Sequence, residues 1–186
     1  MEIQAASIPD VKIITPVRHH DRRGFFCEVY NKRALAEEGL DLDFVQDNHS
    51  RSVQRGTLRG LHFQCPPSAQ NKLVWVLRGA VIDISVDCRV GSPTYGQYVM
   101  VELNATIGNQ VLCPKGFAHG MLTLDHDTEI AYKVDAYYTP GLDLGIRWDD
   151  PDLAIDWPIP AEEMILSEKD RHLPWFRDLP AVFGYP

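Results

Sequence analysis

The feature that most constrains this chain is an apolar alternation that breaks and then resumes. Between Lys72 and Asp87, Val74 and Val76 recur at a spacing of two. The pattern stops at Arg78-Gly79, and Ile82, Ile84 and Val86 take it up again. A period of two sends successive side chains to opposite faces of a strand, so this stretch reads as two strands joined by a tight turn. Val99, Val101 and Leu103 predict a strand that closes at Asn104. Val111–Pro114, Gly120–Leu124 and Glu129–Val134 predict three more, set apart by turns containing Asp, Gly and Pro.

Helical signals are few. Lys32–Glu38 reads Lys-Arg-Ala-Leu-Ala-Glu-Glu and is stopped by Gly39; a second short helix is expected to begin at Ser167, with Asp170 as the acidic member of a capping box. Proline is frequent after 140, which suits an irregular C-terminal wrap over 140–186. Many short, evenly spaced strands predict an all-β jelly-roll sandwich or barrel, with short helices confined to the N-terminal third and the C-terminus. A length of 186 residues predicts one domain, 1–186. Such a fold has sheet edges to hide, and pairing across a dimer is one way to hide them, with the segment up to about residue 45 expected at that interface.

Charge excludes one class of function and points to another. The chain carries 18 Lys+Arg against 26 Asp+Glu, a net charge of −8, which argues against nucleic-acid binding. Residues 1–78 hold 11 basic and 9 acidic side chains, whereas 79–186 hold 7 and 17. The basic half contains Arg18, Arg22, Arg23, Arg51, Arg55, Arg59 and Lys72. This set is open to two readings: ordinary surface scatter, or an anion pocket in an otherwise acidic protein. Cys27, Cys65, Cys88 and Cys113 show neither CxxC spacing nor disulfide-framework density. The N-terminus has no basic, apolar leader pattern and no run approaches a membrane span, so a cytoplasmic protein is expected.

The chemistry concentrates at Gly56-Thr57-Leu58-Arg59-Gly60-Leu61-His62-Phe63-Gln64, with Lys72 ten residues after the histidine. A histidine that takes a proton, a lysine that steadies an enolate oxygen and an arginine that holds a phosphate are the parts needed to remove a proton from carbon beside a carbonyl. A metal site is the competing reading. Pro114-Lys115-Gly116-Phe117-Ala118-His119 fits the second half of the metal-binding pattern of cupins. The first half would read His-x-His followed by Glu; here it reads His62-Phe63-Gln64, with Ser68 and Ala69 where the Glu would fall. Two of four ligands are missing and a cation lies nearby, so no metal is expected.

Further blocks complete a pattern: Asp21-Arg22-Arg23-Gly24-Phe25-Phe26-Cys27-Glu28, Gln46-Asp47-Asn48-His49-Ser50, Gly91-Ser92-Pro93-Thr94, Ala131-Tyr132-Lys133, Tyr138-Thr139-Pro140, Trp148-Asp149-Asp150-Pro151 and Leu166-Ser167-Glu168-Lys169-Asp170. In this order and spacing the chain resembles, nearly end to end, the dTDP-4-dehydrorhamnose 3,5-epimerases, a metal-free branch of the cupin fold. The resemblance implies inversion at C3 and C5 of dTDP-4-dehydro-6-deoxy-D-glucose, giving the L-sugar, with no cofactor. It implies His62 as general base, Asp170 as its carboxylate partner, Lys72 as the enolate cation and Tyr132 as the acid on the opposite face. Asp83, on a strand otherwise rich in Ile and Val, is a rival to Asp170.

The same resemblance implies substrate contacts from Arg59, His119, Gln46, Asn48, Asp143 and Lys169, and stacking of Tyr138 on thymine. It implies a nucleotide clamp from Arg23 and Glu28 of a neighbouring subunit, hence a homodimer. Two positions depart from the family: Asp143 stands where Glu is common and Phe63 where Tyr is frequent. Trp75 is assigned to core or dimer face, without chemistry. The competing functions are a single-carbon epimerase of related sugars, a sugar 3,4-ketoisomerase, a metal-dependent cupin oxygenase and a non-catalytic sugar-nucleotide-binding cupin. Tyr132 favours the double inversion, and retention of His62 and Lys72 disfavours the non-catalytic binder.

Overall fold

The structure, a computed structural model, describes residues 1–185. Thirteen strands run in chain order: β1 (Glu2–Ala5), β2 (Lys12–Thr15), β3 (Arg18–Asp21), β4 (Gly24–Cys27), β5 (Gln46–Ser52), β6 (Leu58–Gln64), β7 (Lys72–Arg78), β8 (Ala80–Asp87), β9 (Tyr98–Asn104), β10 (Gln110–Cys113), β11 (Phe117–Thr123), β12 (Thr128–Val134) and β13 (Asp143–Gly145). They form a six-stranded sheet in the order β1-β2-β10-β7-β12-β5 and a five-stranded sheet in the order β13-β6-β11-β8-β9. All strand pairs are antiparallel, and β3 and β4 make a separate hairpin. The two sheets face each other as the expected cupin-like jelly roll.

The predicted break at Arg78-Gly79 is the β7–β8 turn. Gly79 has φ +81°, and a Cβ there would lie 2.7 Å from Thr128 Oγ1, so glycine is required on both counts. The strand predicted at Gly120–Leu124 begins earlier, at Phe117, and is buried along its whole length. Helix α1 covers Lys32–Glu37, with the Asn31 side chain accepting from the Ala34 N–H. Helix α2 covers Glu168–Arg171, and Ser167 Oγ caps the Asp170 N–H at 3.1 Å. No helix among the described residues is long and apolar enough to cross a membrane.

Alternation assigns residues to three layers. On β7, Val74 and Val76 point between the sheets, where they join Val81, Val99, Leu103, Val111 and Ile130. Leu73 and Trp75 point outward and pack with Leu35 of α1, Leu40, Leu42 and Phe44. The Ile84–Val86 alternation of β8 faces outward as well. There it packs with Leu61, Phe63, Ile146, Leu153 and Phe176, under the C-terminal wrap. Apolar material therefore covers both outer faces, and β7 reads as a nearly continuous apolar run because both its sides are buried.

The space between the sheets is not uniformly apolar. Asp83 and Ser85 of β8 share the inward parity of Val81, and Lys72 shares that of Val74. Strand β5 turns Gln46, Asn48, Ser50 and Ser52 inward, more buried than the Asp47, His49 and Arg51 between them. One end of the sandwich interior is thus a packed core and the other is lined with polar side chains, the condition for a ligand cavity.

Candidate active site

Strand β6 carries the two residues that define the cavity, and it does so through an irregularity. Arg59 and His62 are three positions apart, so a regular strand would aim them at opposite faces. The β6–β11 pairing shifts register between His119 and Met121: His119 faces His62, whereas Met121 faces Arg59. Gly60 has φ +126°, and a Cβ there would sit 2.7 Å from Gly120 Cα and 2.8 Å from the His119 carbonyl. Only glycine permits that approach, and the bulge brings Arg59 and His62 to one side.

The result is a cavity of about 100 Å³ lined by Arg59, His62, Lys72, His119, Met121 and Tyr132. It adjoins a groove of about 480 Å³, reached past Arg59 and His62 and walled by Thr57, Ile165, Ser167, Lys169 and Asp170. The two sheets contribute opposite walls. His62, His119, Arg59 and Met121 come from β6 and β11; Lys72 and Tyr132 come from β7 and β12.

Two histidine–carboxylate pairs stand side by side. His62 Nε2 lies 2.6 Å from Asp170 Oδ1, and His119 Nε2 lies 2.7 Å from Asp83 Oδ2. The carboxylate that meets His62 is thus that of Asp170, and the one that meets His119 is that of Asp83. Burial pushes the Asp170 carboxyl up, but His62, Ser167 and the Gly60 backbone together hold it below the usual aspartate value. With Nε2–H given to that carboxylate, the Nδ1 lone pair of His62 is left to accept a proton.

Lys72 Nζ donates to the His62 carbonyl at 3.2 Å. Burial pushes its ammonium below the ordinary lysine value, opposed by Cys113, Asp143 and Asp83. Tyr132 is half-buried between Ile130 and Val134, and burial raises its phenol above the free value, so it holds its proton at neutral pH. Arg59 is fixed by Ser52 Oγ at 3.2 Å and the Arg51 carbonyl at 3.3 Å, and its guanidinium forms the corner between cavity and groove.

The remaining candidates divide. Gln46 donates to Asn48 Oδ1 at 2.9 Å and accepts the Tyr138 N–H at 3.2 Å, which ties the polar face of β5 to Tyr138; the Tyr138 ring itself is exposed. Asp143 and Lys169 form an ion pair with each other. Arg23 and Glu28 line neither the cavity nor the groove. Arg23 is exposed at the tip of the β3–β4 hairpin and pairs with Asp21, and Glu28 accepts from Asn31 at 3.0 Å.

The basic half of the sequence does not converge as a whole. Arg51 pairs with Asp127, Arg55 with Glu163, and Arg18 with the carbonyls of Ala105 and Thr106. Of that set only Arg59 and Lys72 reach the cavity. Met121, its one apolar lining residue, carried no signal in the sequence. Among the described residues no three His, Cys, Asp or Glu side chains are grouped to hold a metal.

Comparison with known proteins finds relatives along nearly the whole chain. The family model described as dTDP-4-dehydrorhamnose 3,5-epimerase matches residues 5–178. A dTDP-4-dehydrorhamnose 3,5-epimerase of Sinorhizobium fredii is 49% identical over 185 residues, covering 100% of this chain and 94% of the relative. The crystal structure of dTDP-6-deoxy-D-glucose-3,5-epimerase from Legionella pneumophila, in complex with dTDP-4-keto-L-rhamnose, superimposes with a TM-score of 0.95. The two are 44% identical, over 100% of this chain and 98% of that one. ChmJ, a 3′-monoepimerase from Streptomyces bikiniensis in complex with dTDP-quinovose, is 32% identical with a TM-score of 0.86. That match covers 93% of this chain and 87% of that one.

Proposed function

The chain belongs to the dTDP-4-dehydrorhamnose 3,5-epimerase family of sugar-nucleotide isomerases, and on that premise we propose that it inverts both C3 and C5 of dTDP-4-dehydro-6-deoxy-D-glucose. The observation that carries the epimerase reading is that His62 and Tyr132 project from opposing sheets into one cavity; action at both carbons is supported by the 3,5-epimerase activity named for the 49%-identical relative. Inversion needs a base on one side of a planar enolate and an acid on the other, and these two residues supply that pair.

The C4 ketone makes the C3 and C5 protons removable. His62 takes one at Nδ1, and Asp170 stabilises the imidazolium that forms. The Lys72 ammonium faces the developing enolate oxygen, a prearranged charge in a partly dry site, the kind of interaction that dominates such catalysis. Tyr132, protonated at neutral pH, returns a proton from the far wall. His119 hydrogen-bonds the sugar beside His62.

The nucleotide takes the groove. Arg59 meets the pyrophosphate with its planar fork. Tyr138 stacks on the thymine, with Gln46 and Asn48 beside it, and Asp143 and Lys169 close the rim. Arg23 and Glu28 lie away from their own chain's cavity, and the hairpin that presents Arg23 exposes Phe25 and Phe26. Both facts support a homodimer in which each chain clamps the nucleotide of the other.

Proton NMR of the purified protein with dTDP-4-dehydro-6-deoxy-D-glucose in D₂O tests the reading. Deuterium entering C3 and C5 with formation of the L-sugar is expected. Deuterium at one carbon alone would make the chain a single-carbon epimerase, the activity named for ChmJ. No exchange would remove the catalytic reading.

A further inference from the structure

Of the carboxylates around the cavity, Asp83 is the one whose bonding is incomplete. It is 1% exposed on the inward face of β8, and its Oδ2 accepts from His119 Nε2 at 2.7 Å. Its Oδ1 is buried and has no hydrogen-bond partner among the described residues. A buried carboxylate oxygen without a donor is costly, so something else must compensate its charge.

Lys72 has the complementary deficit. Its ammonium carries three N–H donors, and the described residues give it one acceptor, the His62 carbonyl. The groups facing it from neighbouring elements are few. On β10, Cys113 is its register partner, with a thiol pushed up to about 12 by burial and therefore neutral. On β12, Val134 is its partner and Tyr132 holds its proton. From β6 and β11, Arg59, His62 and His119 line the same cavity and bring no negative charge. Asp143 of β13 is already paired with Lys169, and Asp170 is spent on His62. Asp83 remains.

We propose that Asp83 is a positioning residue for the catalytic apparatus: one oxygen fixes the Nε2–H of His119, and the other supplies the counter-charge that keeps Lys72 an ammonium in the cavity wall. The inference rests on the epimerase reading for its purpose, since a cation at Lys72 is what an enolate requires. Burial alone moves the lysine towards its neutral form and the aspartate likewise; each opposes the shift of the other.

The test reads Lys72 directly. Protein labelled with ¹³C at lysine Cε is titrated by NMR, the Lys72 signal being the one lost in Lys72→Arg. Asp83→Asn should lower the Lys72 midpoint by roughly 1–3 pH units, and Asp83→Glu, which keeps the charge, should restore most of it. An unchanged midpoint in folded Asp83→Asn overturns the proposal. The wild type supplies an independent check should that variant not fold: the Asp83 carboxyl carbon must shift as Lys72 deprotonates, and a silent carboxyl also overturns it. In turnover, the alkaline limb of kcat should move to lower pH in Asp83→Asn with dTDP affinity unchanged, an effect that a purely structural aspartate would not produce. A wild type that exchanges no sugar protons counts against the epimerase reading and leaves the two NMR readouts to decide the part played by Asp83.

Discussion

Asp170 Oδ1 lies 2.6 Å from His62 Nε2 although the two residues are 108 positions apart, and each is delivered by a different device. His62 comes from a bulged central strand. Asp170 comes from a single helical turn capped by Ser167, in a C-terminal wrap that has few other regular elements. The His62–Asp170 pair is thus completed only when the end of the chain has packed over the second sheet.

If His62 is the base and Arg59 the phosphate contact, removing the imidazole alone should separate chemistry from binding. His62→Asn is expected to lower turnover by at least the ~10²–10⁴-fold typical of a general base. Affinity for dTDP, read by calorimetry, should stay within about twofold because the guanidinium of Arg59 is held by Ser52 and the Arg51 carbonyl, not by the imidazole. Retained turnover in a folded variant would take His62 out of its role.

The Asp170 carboxyl is held below its ordinary value, so its share of stability is complete above an unfolded-chain pKa of about 3.9. That share is lost as pH falls through the lower, folded value. Asp170→Asn should therefore flatten the acid side of the stability–pH curve measured by urea unfolding. It should also cut turnover at neutral pH, since an amide cannot balance an imidazolium. Parallel acid limbs in variant and wild type would contradict the pairing.

Lys72→Gln should cost roughly 10²–10³ in kcat, the usual loss when one donor to an oxyanion is removed. In the wild type, turnover should fall as pH rises through the lowered Lys72 value, so the alkaline limb must lie below the ordinary lysine range. A limb at or above that range would mean that Lys72 is not required as a cation.

Much of this was legible in advance, for reasons that differ by residue. Strands β7 to β12 announce themselves by apolar alternation, and α1 and α2 by a capped start or a glycine stop. Strand β5 does not: its inward face is Gln46, Asn48, Ser50 and Ser52, so the hydrophobic periodicity that marks a strand is absent where the strand lines the polar end of the interior. The outward burial of Ile84 and Val86 was equally hidden, because it depends on the C-terminal wrap. His62 and Lys72 were readable as residue types in a motif. Arg59 was readable in the same motif, but the register shift at Gly60 that brings it to their face was not.

That shift gives a backbone prediction. Gly60→Ala places a methyl 2.7 Å from Gly120 Cα in a positive-φ conformation, so β6 must move off β11. A stability loss of about 1–3 kcal/mol by chemical denaturation is expected, with a larger proportional loss of turnover because Arg59 and His62 flank the glycine. Wild-type turnover would show that the bulge does not set the site.

The shared clamp can be tested by complementation. Arg23→Ala and His62→Asn homodimers should each be inactive or nearly so. Mixed and reassociated one to one, they should recover about a quarter of wild-type activity, because half the dimers then hold one intact site of two. No recovery on subunit exchange would place Arg23 in its own chain's site or in none.

The central claim is that His62 and Tyr132 serve opposite faces of one enolate. It is tested most directly by following dTDP-4-dehydro-6-deoxy-D-glucose in D₂O with Tyr132→Phe beside the wild type, scoring solvent exchange and inversion separately by NMR. The account predicts that the variant still washes deuterium into the sugar, since His62 and Lys72 are untouched, while formation of the inverted product falls by a far larger factor. Equal losses of exchange and inversion would show that Tyr132 packs the cavity wall without donating a proton, and the two-face mechanism would be wrong.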